Sequence, residues 1–166
     1  MEETLNKVLC SLQAACARRE YCSSDILAKA MRLTGGDARA SQEILRSLES
    51  DGFVDDARYA AAFAREKSSI TGWGPHKITT ALKMKGIGMD LIESALSETD
   101  GQKSAERLRK LLENKWKSLR GDQYAKFKLL RYALGRGYGY DEAGPLVDRI
   151  VREADADFSG EGPGGI

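Results

Sequence analysis

The chain has 166 residues, 42% of them hydrophobic and 31% charged, with a formal net charge of +1. That is enough apolar material for a core, so disorder throughout is excluded, and no apolar run approaches the roughly 18 residues that a membrane-spanning helix needs. The small net charge conceals a segregation: residues 1–50 are neutral, 51–102 carry −2, 103–136 carry +8 and 137–166 carry −5, an asymmetry that points to a polyanionic partner.

From Leu5 to Arg19, the residues Leu5, Val8, Leu9 and Leu12, with Ala15 or Cys16, follow the spacing of a helix with one buried face. Ser23 or Ser24 is the expected N-cap of a second helix, striped by Ile26, Leu27, Ala30 and Met31 and ended by Gly35-Gly36. A third helix, about Ser41 to Ser50, stops at Gly52, with Phe53 folding back onto Leu48. Asp55 then caps a fourth helix, in which Val54 and Tyr59 form a hydrophobic staple and Tyr59 and Phe63 share a face. After the loop Thr71-Gly72-Trp73-Gly74-Pro75 comes a helix carrying Ile78, Ala81 and Leu82, stopped by Gly86 with Ile87 packed on Leu82. Asp90 and Glu93 read as the N-cap and its N3 partner of the next helix, with Leu91, Ile92, Ala95 and Leu96. A helix from about Lys103 to Leu119 carries Leu108, Leu112 and Trp116, and one from about Gln123 to Arg136 carries Phe127, Leu130 and Leu134 before Gly137 and Tyr138. The last, after Asp141, carries Leu146, Val147, Ile150 and Val151 and has Gly144-Pro145 interrupting its first turn.

The stop glycines Gly35, Gly86 and Gly137 are 51 residues apart, and Leu27, Ile78 and Leu129 keep the same offset. The expected fold is therefore all-α: three tandem three-helix repeats, 1–52, 53–99 and 100–154, stacked into an elongated, curved array. Residues 155–166, acidic and glycine-rich, read as a disordered tail.

Catalytic and cofactor chemistry lacks a foothold. Cys10, Cys16 and Cys22 are six residues apart, and the single His76 is far from them, which fits neither a zinc set nor a CxxC motif and suggests free thiols in a reducing cytoplasm. Asp55-Asp56 is accounted for by the dipole of a helix N-terminus, and the glycines match neither a P-loop nor a dinucleotide-binding turn. No enzyme activity, metal or cofactor is expected. The segment Gly74 to Leu96 has the outline of a helix-turn-helix, but Met89 to Leu96 has no Lys, Arg, Asn or Gln to read bases. The basic stretch is more informative. Lys103, Arg107, Lys110 and Lys117 share a helix face away from Leu108, Leu112 and Trp116, and Lys126, Lys128, Arg131 and Arg136 add charge on the next helix. These eight are the candidate contacts to nucleic acid or an acidic protein groove. A helical protein that binds duplex DNA by itself is the competing expectation.

Asp55-Asp56-Ala57-Arg58-Tyr59-Ala60, then Phe63, Gly74, Ile78, Leu82, Lys85-Gly86-Ile87, Ile92 and Ala95-Leu96, resemble the signature of the RecX family, bacterial regulators of the RecA recombinase. The resemblance implies a non-enzymatic cytoplasmic protein, taken as a monomer. It would bind in the groove of the RecA filament on single-stranded DNA, with a weaker hold on duplex, and restrain recombination and the DNA-damage response. On the reading of the residues themselves, Asp55, Asp56, Tyr59, Phe63, Gly74, Ile78, Leu82, Lys85, Gly86 and Ile87 serve mainly architecture. Glu66-Lys67 stands where the family leads one to expect a more basic run.

Overall fold

A computed structural model describes residues 2–160, with side chains to Phe158, and the described residues form nine α-helices and no strand. In chain order these are α1 (Glu2–Arg18), α2 (Ser23–Leu33), α3 (Ala38–Ser50), α4 (Asp56–Ser69), α5 (Pro75–Met84), α6 (Met89–Ser97), α7 (Gly101–Leu119), α8 (Ala125–Gly135) and α9 (Tyr140–Gly160). The fold is the all-α class of tandem three-helix repeats. α1, α2 and α3 pack on one another around Val8, Leu12, Ile26, Ala30 and Leu48. α7, α8 and α9 do the same around Leu108, Leu112, Leu129, Ala133 and Val147. Burying a side chain of this size is worth roughly 1.5–3 kcal/mol, so each set of stripes supplies the drive for its own core.

The helix stops are alike in detail. The Gly36 N–H bonds Met31 O at 2.7 Å, the Ile87 N–H bonds Leu82 O at 3.1 Å and the Tyr138 N–H bonds Ala133 O at 3.2 Å. Each bond spans five residues across a left-handed glycine: Gly35 at φ 69°, Gly86 at 78° and Gly137 at 95°. Gly52, at φ 78°, ends α3 in the same way, with the Phe53 N–H on Leu48 O at 2.9 Å. Four local sequences thus build one motif, three of them at the 51-residue interval.

By packing, the chain divides into two compact units, Met1–Arg65 with Thr79–Glu98 and Glu66–Ile78 with Thr99–Ile166, so α4 and α5 each contribute to both. Within the first unit, the start of α2 is held by residues far along the chain. Asp56 accepts from the Ser23 N–H at 2.7 Å and the Ser23 hydroxyl at 2.6 Å, the Ser24 hydroxyl donates to Lys85 O at 2.6 Å, and Lys85 Nζ lies 3.0 Å from Asp25. Within the second unit, the start of α5 meets the end of α8 directly through main chain. The Gly74 N–H bonds Arg136 O at 2.8 Å and the His76 N–H bonds Gly137 O at 2.9 Å, which offers carbonyls from one helix end to amides of another. This approach needs glycine on both sides: a Cβ on Gly74 would lie 2.5 Å from the Gly137 carbonyl, and one on Gly137 would lie 2.3 Å from Lys77 Cβ.

Several expectations are corrected. Neither Ser23 nor Ser24 caps α2; Cys22, fully buried, is the N-cap residue, and Asp56 supplies the missing acceptor from 33 residues away. With Cys22 turned inward, the buried series of α2 is Cys22, Ile26 and Ala30, one place off the Leu27 register. Gly88, extended, is the N-cap of α6, which leaves Asp90 inside the first turn. In α8 the buried residues are Ala125, Leu129 and Ala133, while Phe127 and Leu134 are 64% and 44% exposed, because close main-chain packing at the helix end favours small side chains inward. Pro145 sits inside α9 without ending it; both it and Asp141, whose carbonyl loses its donor four residues on, face solvent. α9 also runs through 155–160, part of the expected tail, with Ala154 and Ala156 as strong helix formers. Residues 161–166 lie outside the described residues.

Two glycines separate conformation from contact. Gly52→Ala meets nothing within 4 Å and should cost about 1–2 kcal/mol for the left-handed backbone alone. Gly137→Ala carries the same strain plus a collision that displaces two main-chain hydrogen bonds, and should cost about 3 kcal/mol or more. Urea unfolding of the two variants followed by circular dichroism checks the order.

Candidate nucleic-acid interface

Helix α7 begins where Asp100 accepts from the Gln102 and Lys103 N–H groups at 3.0 and 3.4 Å. Its inward residues Leu108, Leu112 and Leu119 fix what faces out. Lys103, Lys110 and Lys117 are exposed and form no ion pair among the described residues. At seven-residue spacing they follow one line on the helix, each about 10.5 Å from the next.

Helix α8 differs. Lys126 Nζ lies 2.8 Å from Asp148, which pushes the lysine pKa up and the Asp148 carboxyl down. Lys128 is paired with Asp122, whose carboxyl is held below the usual range by that lysine and by the Tyr124 N–H. Arg131 is exposed and unpaired among the described residues. Arg136 is half-buried, and one of its terminal nitrogens donates to Thr71 O.

Of the eight candidate contacts, Arg107, Lys110 and Arg136 come together. They line an open groove of about 320 Å³ with the loop 69–72, Leu111 and Asn114. Beneath it lies Tyr138, 2% exposed, whose hydroxyl donates to Gly72 O at 3.3 Å; burial pushes its pKa up and so keeps it a donor. Trp73, next in the loop, has Lys67 Nζ 4.8 Å and Lys77 Nζ 4.6 Å from its ring centre, so the groove adjoins further cations. Lys126 instead borders a second groove with the exposed rings of Tyr124, Phe127 and Tyr140, while Lys103, Lys117, Lys128 and Arg131 lie in neither. Thr71, Gly72 and Asn114 do not stand out in the sequence as site residues. The available signal is the 51-residue interval, which sets Arg107 and Arg136 opposite Asp56 and Lys85 in the preceding copy.

The signature residues fall elsewhere. Asp55 accepts from the Arg58 N–H at 3.1 Å as the cap of α4, Tyr59 and Phe63 stack with ring centres 6.0 Å apart, and Ile78 and Leu82 are buried. Arg58 also reaches Glu20 through both carboxylate oxygens, at 2.9 and 3.0 Å. Asp56, Lys85 and Gly74 hold the helix starts described above. Among the described residues no group of three or more His, Cys, Asp or Glu is placed to hold a metal, and the cysteines are free. Burial is the main cause raising the Cys16 pKa, which disfavours its thiolate.

Comparison with known proteins bears on this arrangement. Residues 55–96 match the family model described as RecX, second three-helix domain. A regulatory protein RecX of Streptomyces coelicolor is 30% identical over 129 residues, which cover 77% of this chain and 67% of that protein. One of Clostridium botulinum (strain Alaska E43 / Type E3) is 32% identical over 128 residues, covering 75% of this chain; the chain spans 58% of that relative's length. Among solved structures, a crystal structure of regulatory protein RecX superposes with a TM-score of 0.78 at 22% identity, over 87% of this chain and 72% of the other. A crystal structure of RecX from Lactobacillus salivarius gives a TM-score of 0.75 at 21% identity over 94% and 99%, so the likeness to both is one of fold.

If this face holds a single strand, replacing Lys126 and Lys128, whose contacts are shared with carboxylates, by Gln should weaken oligo-dT binding less than the same change at the unpaired Lys110 and Lys117. Replacing Lys110 and Lys117 by Gln should weaken it by about tenfold at low salt. Fluorescence anisotropy of a labelled strand reads both.

Proposed function

The chain belongs to the RecX family, and from that premise we propose that it is a non-catalytic regulator. On this reading it binds the RecA filament on single-stranded DNA and mainly inhibits RecA in recombination, repair and the DNA-damage response. The observation that carries the reading is the line of exposed lysines on α7, Lys103, Lys110 and Lys117, together with Arg131 on α8, within a segment of net charge +8. A filament groove bordered by phosphates and acidic side chains attracts such a face at long range and loses that attraction as salt rises. Arg107 and Arg136 belong to the same contact, with Lys126 and Lys128 contributing less through their carboxylate partners.

The division into repeats 1–52, 53–99 and 100–154 suits this role, since copies of one module can follow a polymer while each carries different surface charges. The protein acts as a monomer in the cytoplasm, where the filament assembles. No helix among the described residues is long and apolar enough to cross a membrane. α6, the place for base readout in a helix-turn-helix, carries no Lys, Arg, Asn or Gln in Met89–Ser97, which disfavours a sequence reader of duplex DNA.

Charge reversal of Lys103, Lys110 and Lys117 to Glu should abolish co-sedimentation with RecA filaments on single-stranded DNA and relieve inhibition of strand exchange, with unchanged helicity. Full inhibition by that variant refutes the assignment of the face. Tight, sequence-selective duplex binding without RecA establishes the competing function instead.

A further inference from the structure

The 51-residue interval pairs two sites whose charges differ. In the first unit, Asp56 and Lys85 stand beside the start of α2, and acids offset the cations Lys85 and Arg58 while Arg19 lies over the Tyr21 ring. Lys85 meets Asp25 at 3.0 Å, Arg58 meets Glu20 at 2.9 Å and Asp56 takes two hydrogen bonds from Ser23. One interval later Asp56 is replaced by Arg107, Tyr59 by Lys110 and Lys85 by Arg136. The acids are gone as well: Glu20 and Asp25 precede or open α2, but the stretch 67–89 ahead of and through α5 contains no acidic residue. A charge-balanced site has become an all-cationic one.

The consequence shows in the hydrogen bonding. The Nε atoms of Arg107 and Arg136 are both buried and have no hydrogen-bond partner, in a groove that Lys110 and Asn114 also line. A partly desolvated guanidinium with an unmet donor is costly, and two cations lining one groove repel, so an anion held in the groove relieves the arrangement. The groove is shaped for that. Gly72, at φ 74°, lies so close to Arg136 that a Cβ there would be 3.0 Å from its guanidinium, and Arg136 is further fixed by Thr71 O.

We propose that this groove is a built site for a backbone phosphate of a single nucleic-acid strand, with Arg107 and Arg136 as a paired fork and Lys110 as the third cation. Planar guanidinium donors match phosphate oxygens in twos, which a lysine cannot do. One backbone phosphate carries the same single charge as a carboxylate, so the distinction lies in Lys103 and Lys117, which continue the positive line about 10.5 Å to either side of Lys110 along α7, as a strand of repeating charge requires and an isolated acidic side chain does not. The assignment rests on the reading that the protein meets single-stranded DNA.

The test uses the full chain and labelled oligo-dT, by anisotropy across a salt series, alongside binding to RecA filaments. Arg107→Asp installs the residue of the first site and gives Arg136 a partner, so the fold should persist, as circular dichroism and Tm will report; Arg107→Gln serves as a neutral second variant. Both should weaken oligo-dT binding roughly tenfold or more and flatten the log–log salt slope by about 0.7 for each phosphate that is no longer neutralised. Arg107→Lys should recover only part of the affinity, since the charge returns without the fork. Unchanged affinity and slope in Arg107→Asp, with the reversal of Lys103 and Lys117 still abolishing binding, overturns the groove while leaving the functional reading intact. A loss confined to RecA filaments, with free oligo-dT unaffected or never bound, overturns it in favour of an acidic protein surface. Failure of the unaltered protein to bind either strand or filament overturns both.

Discussion

The structure depends on a main-chain constraint: a helix that must end abruptly at a left-handed glycine so that the next residue can bond back five positions. Gly35, Gly86 and Gly137 do this at a fixed interval, and Gly52 does it between them. Because the bond closes within the chain's own last turn, it sets the direction of exit before any tertiary contact forms. Gly137 then has a second task, since its missing side chain lets the Gly137 carbonyl reach the His76 N–H. The same residue ends one helix and supports another.

That economy explains how one scaffold carries different chemistry. Main-chain geometry at the stops is almost independent of the side chains around it, so the charges lining it are free to vary. In the first unit they close on themselves as Lys85 with Asp25 and Arg58 with Glu20. In the second they are left open as Arg107, Lys110 and Arg136 around a groove. The half-buried Arg107 and Arg136 are the costly part of the exchange, whereas exposed ion pairs of the first kind add little stability, about 0–1 kcal/mol each, so losing them costs the fold little. The positive face of α7 is tolerable for the same reason, with its cations in water rather than in the core.

Most sequence signals that rest on local physics agree with the structure, the caps of α2 and α6 being the exceptions. The all-α class, the stop glycines, the Asp55 cap and the stacking of Tyr59 on Phe63 are all decided within five residues, and membership of the RecX family is legible in the stretch 51–97. Periodicity misleads in α8, where Phe127 and Leu134 satisfy a helical stripe as well as Ala125, Leu129 and Ala133 do. Spacing alone does not say which of two apolar faces turns inward; the space left by the neighbouring helices does. Charge counting has a similar limit, because it treats Lys126 and Lys128 like Lys110, although Asp148 and Asp122 already neutralise them.

What the sequence determined by itself is the module: helices, their stops, the 51-residue interval and the concentration of positive charge in 103–136, all properties of nearest neighbours or of composition. Tertiary structure alone decided the partners. It brought Asp56 to Ser23 across 33 residues, set Gly74 against Gly137, and gathered Arg107, Lys110 and Arg136 while leaving Lys103 and Lys117 on the open helix face. Such pairings follow from how helix faces pack, and packing depends on shapes contributed by segments that no local window of sequence contains.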